Sequence, residues 1–459
     1  MTTGETGTRP AAPAPDAADA AAAAAVPAGA LGALRGLLQR PLASYYLLLA
    51  SSGLLLVIGL TMVFSATSVH AYATDGNAFA NIARQATYAV VGLVAFWAFQ
   101  RLPVGTFRTL GLPLLLTALA LQLVLDGLSL LHSAELIAAP RIGPVESNLR
   151  WLNIAGLSVQ PSELAKLALV LWGADVLARK GTAIGWWREL SRPLFPVAAV
   201  LMLLVGAQDL GTMLCMLVLF VGLLWAAGVR LRIFAAMSVA ALAVVALLVA
   251  LRSSYRMERL TSFLSRDCDV LDECYQSVQG RTALADGGWF GVGLGNASLK
   301  WGWLPEGHND FIFAIIGEEL GVVGCLVVLA LFAVLSYTGL RIARRVDDRF
   351  RRLAATGVVS WLVGQTVINI GAVVGLLPIT GVPLPFISDG GSALVVTLAA
   401  VGMLASFARA EPAAVRALHA RPPAHWVRLV WAPLPPLPRP RADRPPAAGR
   451  APAGERRRS

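Results

Sequence analysis

Charge is what this sequence has least of. Asp, Glu, Lys and Arg make up only 14% of its 459 residues, against 56% hydrophobic residues. A soluble chain of this length cannot hide so much apolar surface, so lipid acts as solvent for much of it. Histidine and cysteine are also scarce, at five and four residues. Neither type occurs at an H-x-x-x-H or paired Cys/His spacing, so nothing points to a zinc site. There is no Walker A sequence, which argues against nucleotide-driven transport. No leader of basic, apolar and small residues opens the chain. Residues 1–40 are instead Ala/Pro-rich and 411–459 Pro/Arg-rich, and both read as disordered tails. The net charge of +11 first suggests nucleic acid. Most of the excess lies in short loops and the tail, so membrane lipids, not nucleic acid, are the expected partner.

What is present is long apolar runs. A spanning helix needs about 20 mostly apolar residues. Ten stretches qualify: 44–65, 86–100, 105–125, 160–178, 193–208, 210–228, 231–251, 310–340, 354–377 and 389–408. The expected fold is therefore all-α, a polytopic membrane domain over 41–410. Arg101 and Arg108, the Arg179–Arg192 group, Arg230 and Arg232, and the Arg341–Arg352 cluster fall in alternate loops. Loops rich in Arg and Lys stay cytoplasmic, which puts both termini inside. Two outer segments, 126–159 and 252–309, are too long to be mere connectors. The second is a large extracellular loop between helices 7 and 8, and its Tyr, Trp, Gly and Cys content favours order. Cys268 and Cys274 lie in it, on the oxidising side, as either a disulfide or two thiols. Cys215 and Cys325 fall within spans and read as packing residues.

Titratable groups gather where spans begin. In "VQPSELAK", Pro161 suits a first helical turn. Glu163 and Lys166, three apart, share a face and can neutralise each other. They are either an ion pair docking two helices or part of an intramembrane site. Arg150 and Trp151, just upstream, can meet an anionic or sugar-bearing ligand. Asp209 in "AQDLGT" is a helix cap or a ligand contact. In the long loop, Tyr275, Gln276 and Gln279 offer the neutral hydrogen bonds sugars need, though loop packing explains them as well. Its G-x-G-x-G run at Gly291, Gly293 and Gly295 follows no strand, so a dinucleotide fold is a poor reading.

"LPEGHNDFIFAIIGEELG" holds Glu306, His308 and Asp310 directly before an apolar helix. Asp310 is either that helix's N-cap or a general base. The helix dipole keeps a carboxylate there ionised while lost hydration raises its basicity, the balance a base needs. Glu318 lies about 80° round the helix from Asp310, and Glu319 roughly opposite. Glu318 can thus face the same cavity, whereas Glu319 reads as a contact with another helix. His308 shares the side of Asp310 only if the segment is extended. In "LLPITGVPLPFISDGGSALV", three prolines and three glycines form a non-helical outer turn, tolerated only under protein or water cover. Ser388, Gly390, Gly391 and Ser392 then open the last helix, whose N–H groups either bind phosphate or simply start the helix.

Three stretches, "RWLNIAGLSVQPSELAK", "YQSVQGRTALADGGWFGVGLGNASLKWGWLPEGHNDFIFAIIGEELG" and "GLLPITGVPLPFISDGGSALV", together resemble the SEDS family (shape, elongation, division and sporulation proteins). The likeness runs in family order over roughly 40–420. "ARAEPAAVRAL" and "HNDFIFAIIGEELG" look most like its division branch in high-GC Gram-positive bacteria, "TGVPLPF" more like the elongation branch. The family's usual Thr is Asn309 here, and its uncharged residue or Tyr is Asp389.

The resemblance implies a ten-helix peptidoglycan glycosyltransferase that polymerises lipid II outside the cytoplasmic membrane during division. It puts the catalytic acid at Asp310. Outer-cavity residues fall on Gln160, Ser162, Glu163 and Lys166, and on the loop up to His308, including Glu306. Arg150, Lys166, Lys300 or a divalent cation (Mg or Mn) would meet the leaving diphosphate. A class B penicillin-binding transpeptidase and other division proteins are the implied partners, and the septum the implied place. A lipid II flippase and a non-catalytic division scaffold are the rival readings.

Overall fold

In the computed structural model the described residues are 32, 36, 38–135, 141–142, 145–148, 150–154, 157–181, 192–251, 275–298, 301 and 307–437. All ten apolar stretches are helical. The first seven are α1 (Ala43–Asp75), α2 (Ala80–Arg101), α3 (Val104–Ser133), α4 (Pro161–Arg179), α5 (Leu194–Gln208), α6 (Leu210–Ala227) and α7 (Leu231–Leu251). After a short outer helix, α8 (Tyr275–Asp286), come α9 (Ile312–Arg345), α10 (Arg349–Val373) and α11 (Ser392–Arg409). Seven of these are long and apolar enough to cross a membrane by length and composition, α5 and the start of α7 being shorter. α4 stands outside both sets and carries Glu163, Lys166, Asp175 and Arg179.

Burial sorts the helices. In α10 and α11, 78% of the apolar window is buried, against 22% in α2. α10 packs on α4, α6 and α9, and α11 on α2, so the two least lipid-facing spans form the centre. Chain breaks between spans are capped where the sequence supplies a cap. Pro161 stands in the first turn of α4, where its missing N–H leaves nothing unsatisfied. Asp209 separates α5 from α6 and accepts a bond from Thr212 N at 3.0 Å, the capping role.

Three features depart from the expected outline. The outer segment before α4 forms a small antiparallel sheet, β1 (Arg141–Ile142), β2 (Val145–Asn148), β3 (Trp151–Ile154) and β4 (Leu157–Val159), in order β1-β2-β3-β4. Its Leu152 packs with Leu125 and Leu128 of α3, which fixes the sheet on the bundle. Next, α9 is broken at Gly321, whose φ of 68° and ψ of −166° are not helical. Loop 287–293 repairs the break. Val292 N and Gly293 N donate to Glu318 O and Glu319 O, while Val322 N and Val323 N donate to Gly288 O and Trp289 O. Every one of those groups lost its partner at the break, and protein rather than lipid supplies the replacement.

Third, residues 411–437, expected within a disordered tail, fold. They form α12 (Pro412–Ala420), α13 (His425–Val430) and an extended run. Trp431 Nε1 donates to Tyr45 Oη at 2.6 Å, and Trp97 Nε1 to Val430 O at 2.7 Å. Arg409 bonds the carbonyls of Ala432 and Pro433. Tryptophan and arginine hydrogen bonds to the helices outweigh the Pro/Arg composition that suggested disorder.

Candidate functional site

Four chain breaks meet at the outer end of the bundle: 150–160 before α4, Asp209 before α6, 307–311 before α9, and 374–391 before α11. Backbone bonds from side chains tie them together. Asn369 Nδ2, near the end of α10, donates to both Asp310 O and Val382 O at 2.8 Å. Ser388 Oγ donates to Asn309 O at 2.6 Å and accepts from Leu384 N at 2.7 Å. Gln160 N donates to Ser392 Oγ at 3.1 Å. Ser388 and Ser392 therefore hold loops in place, and Ser162, two residues after Gln160 on α4, is buried.

Asp310 lies half-buried on the turn before α9. The helix N-cap is Phe311, and no side chain caps it, so the capping alternative for Asp310 does not hold. A small hollow adjoins the carboxylate, lined by Phe311, Asn369, Val373, Thr380, Gly381 and Val382 among others. Its volume is about 10 Å³, close to the room one water needs. Arg150 reaches the same place: its Nη1 donates to Gly381 O at 2.6 Å and stands 3.7 Å from Asp209 Oδ2. Asp209 thus caps α6, the first of its two readings, and also stands beside Arg150.

α8 closes the other side. Gly280 is buried against the Phe311 ring, so close that a Cβ there would sit 2.9 Å from it. Tyr275 and Gln276 lie about one turn before Gly280 on α8 and Gln279 directly before it, all three half-buried.

Glu163 and Lys166 resolve toward the ion pair. Lys166 Nζ lies 2.8 Å from Glu163 Oε1 and donates to Gln365 Oε1 at 2.8 Å, with side-chain exposures of 0% and 1% for the pair. The Lys166 ammonium also sits 4.9 Å from the Trp361 ring centroid, and Trp361 Nε1 donates to the same Gln365 oxygen. Sealed in this way, the pair touches neither the hollow nor solvent. Glu318 does not face the Asp310 hollow: its Oε1 accepts from Ser298 N and Oγ at 2.6 and 2.8 Å. Glu319 accepts both bonds from Ser65 Oγ, at 2.6 and 2.8 Å, the interhelical contact expected of it. Lys300, Glu306, Cys268 and Cys274 lie outside the described residues.

His308 opens on a different space. The 307–311 segment is a turn, not extended, so His308 and Asp310 face apart. His308 lines a polar cavity of about 270 Å³ with Arg84, Tyr88, Trp151, Asn153, Ser158, Asp389 and Gly391. Gly391 is needed there, with φ +45° and the Tyr88 ring 3.3 Å from where a Cβ would stand. Of this wall the sequence pointed to Trp151, His308 and Gly391, and to Asp389 as a departure from the family pattern. Arg84 carried a readable signal, a charge within an apolar helix, but the second span was started at 86 and α2 begins at Ala80. Among the described residues no three His, Cys, Asp or Glu side chains converge on a metal-sized position.

Residues 45–412 match the family of cell cycle proteins that comprises FtsW, RodA and SpoVE. The chain is 42% identical over 400 residues to the probable peptidoglycan glycosyltransferase FtsW of Mycobacterium tuberculosis, covering 87% of this chain and 74% of that protein. It is 36% identical over 358 residues to the stage V sporulation protein E of Bacillus subtilis, covering 78% and 94%. Among solved structures, a chain of a peptidoglycan synthase complex that coordinates polymerization and crosslinking superposes with a TM-score of 0.60 at 25% identity, over 81% of this chain and 98% of that one. The rod shape determining protein RodA of Thermus thermophilus gives 0.53 at 25% identity, over 79% and 96%.

Proposed function

The chain belongs to the FtsW/RodA/SpoVE family, and from that premise we propose that it is a peptidoglycan glycosyltransferase that polymerises lipid II with Asp310 as general base. The observation that carries the assignment is the setting of Asp310. It is an acid at the outer mouth of α9, not used as a helix cap, beside a hollow whose wall is held by Arg150.

The Asp310 carboxylate takes the proton of the acceptor N-acetylglucosamine 4-hydroxyl. That oxygen then attacks the anomeric carbon of the donor sugar from the face opposite its diphosphate. As the new glycosidic bond forms, the bond to the diphosphate oxygen breaks, and undecaprenyl diphosphate leaves with the electron pair and inversion at carbon. Arg150, with its side chain 32% exposed, is the described cation placed to meet that charge, and positioned charge of this kind is usually the main catalytic contribution. Lys166 is too deeply sealed to serve. A divalent cation at the diphosphate would take most of its ligands from phosphate and water. Because the hollow holds only about one water, sugar reaches Asp310 after segment 379–382 moves aside, a lid step of familiar kind.

The flippase reading fares less well. Charges that would line its path are already engaged, Lys166 by Glu163 and Gln365, Asp209 by Thr212 and Arg150. Purified protein supplied with lipid II in detergent, where there are no two sides to cross, separates the two. Polymer is expected from wild type, and from Asp310→Asn at a rate lower by about 10²–10⁴-fold. Full-rate synthesis by folded Asp310→Asn protein would remove Asp310 from the mechanism. A class B penicillin-binding transpeptidase is the proposed partner and the septum the proposed site of action. Copurification in mild detergent checks the first, and a fluorescent fusion in dividing cells the second.

A further inference from the structure

Glycosyl transfer makes no use of the folded segment after α11, and its setting differs from the rest of the surface. The segment crosses the end of α2, the least buried of the candidate spans. The 22 residues of α2 rise roughly 33 Å in all, close to the thickness of a hydrocarbon core. Trp97 and Arg101, near its end, therefore stand at the Arg-rich, cytoplasmic face of the bilayer. There Arg101 Nη1 donates to Leu429 O at 2.5 Å and to Val430 O at 2.6 Å, and Trp97 Nε1 shares Val430 O. Gln100 Nε2 donates to Trp431 O at 3.3 Å. All these bonds grip main-chain carbonyls and leave the side chains of α13 unused, none of them buried.

Those side chains are sorted. Trp426, Leu429 and Val430, three and four residues apart, share one face of α13 and are 68%, 60% and 58% exposed. Val430 is bonded to Trp97, which lies with Val90 and Val94 on the exposed side of α2. The same stretch carries cations that lack a counter-charge. Arg416, Arg421 and Arg428 have no carboxylate within 4 Å among the described residues, whereas Arg108, Arg179 and Arg345 each have one. Residues 438–459 add seven arginines against one aspartate and one glutamate.

We propose that α13 and the segment through Leu437 form an interfacial anchor for anionic phospholipids of the cytoplasmic leaflet. Trp426, Leu429 and Val430 dip into the boundary between headgroups and acyl chains, while Arg421, Arg428 and the arginines that follow meet lipid phosphates. An apolar face and a polybasic run reinforce each other at an anionic surface. An acidic protein would satisfy the arginines equally well. It would not account for an apolar helix face fastened to the lipid-facing side of α2 at the depth where tryptophan and arginine border a bilayer.

Hydrogen exchange of full-length protein in nanodiscs tests this, with phosphatidylcholine alone or in equal mixture with phosphatidylglycerol. Amides of 425–437 are expected to exchange at least about fivefold more slowly in the mixture. Added salt should shrink that difference, and buried amides of α11 should not respond. Truncation after Leu437 combined with Arg421→Gln leaves every bond described above in place and is expected to remove most of the difference between bilayers. Trp426→Ser with Leu429→Ser is expected to speed exchange of the segment about tenfold or more in both bilayers. A strap that faced water would be indifferent to that change, because both side chains are already exposed. The anchor is overturned if wild type exchanges alike in the two bilayers, if the truncated variant keeps the full difference, or if the double serine variant matches wild type. Exchange that ignores phosphatidylglycerol but slows when soluble polyglutamate is added also overturns it and gives the surface to an acidic protein.

Discussion

Two ion pairs at the outer end of the bundle each join one base to one acid and differ in almost everything else. Glu163–Lys166 is sealed, with exposures of 1% and 0% and a separation of 2.8 Å. Arg84–Asp389 stands 3.5 Å apart on a cavity wall, with exposures of 61% and 9%. The sealed pair lies three residues apart on one helix and is gripped by Gln365 and Trp361 of α10, so it pins α4 to the centre of the bundle. The open pair links α2 to the turn before α11 and sets the charge a ligand meets. An ionisable group inside a membrane is a functional hypothesis by default. The contrast shows that burial and partner count decide which function, structural or chemical.

The largest expected effect comes from breaking the sealed pair. Glu163→Gln leaves a buried ammonium without its counter-charge, a loss of about 3–5 kcal/mol, seen as a sharply lower unfolding temperature in detergent. Replacing both partners, Glu163→Leu with Lys166→Met, should restore most of that stability; a double variant as weak as the single one would show the pair is not acting as a pin. Gln365→Leu comes next. It removes one acceptor shared by Lys166 and Trp361, at about 1–3 kcal/mol. Smallest is Arg84→Gln, within about 1 kcal/mol, its effect shrinking further as added salt screens the exposed pair. An Arg84→Gln loss as large as that of Glu163→Gln would erase the distinction.

Length and apolarity were enough to find the spans, because hydrocarbon thickness imposes a run that averaging detects. Their ends were not so plain. Starting the second span at 86 rather than Ala80 hid Arg84, since a window that rewards apolarity trims away the charge that matters. The sheet over 141–159 escaped notice because strands of two to four residues leave no readable alternation. The break at Gly321 was masked by the apolar residues around it. Asp310 was legible as a candidate from its place before a span, but the separate cavity of His308 follows from turn geometry that spacing alone does not give. In the tail, Trp431 was outweighed by Pro and Arg in the composition, yet 429–431 dock on α1 and α2 and 432–433 on Arg409 of α11. Truncation meant to test a scaffold role should therefore cut after 437, or it will strip a structural strap along with any partner motif.

The splice at Gly321 has a mechanical meaning. Four backbone hydrogen bonds with an outer loop bolt the upper part of α9, which begins two residues after Asp310, to its lower part, while Trp289 and Phe290 project from that loop at 70% and 82% exposure. Whatever grips those two rings holds a handle on the short helical segment behind them. A tug there would be felt at the carboxylate without anything having to enter its pocket.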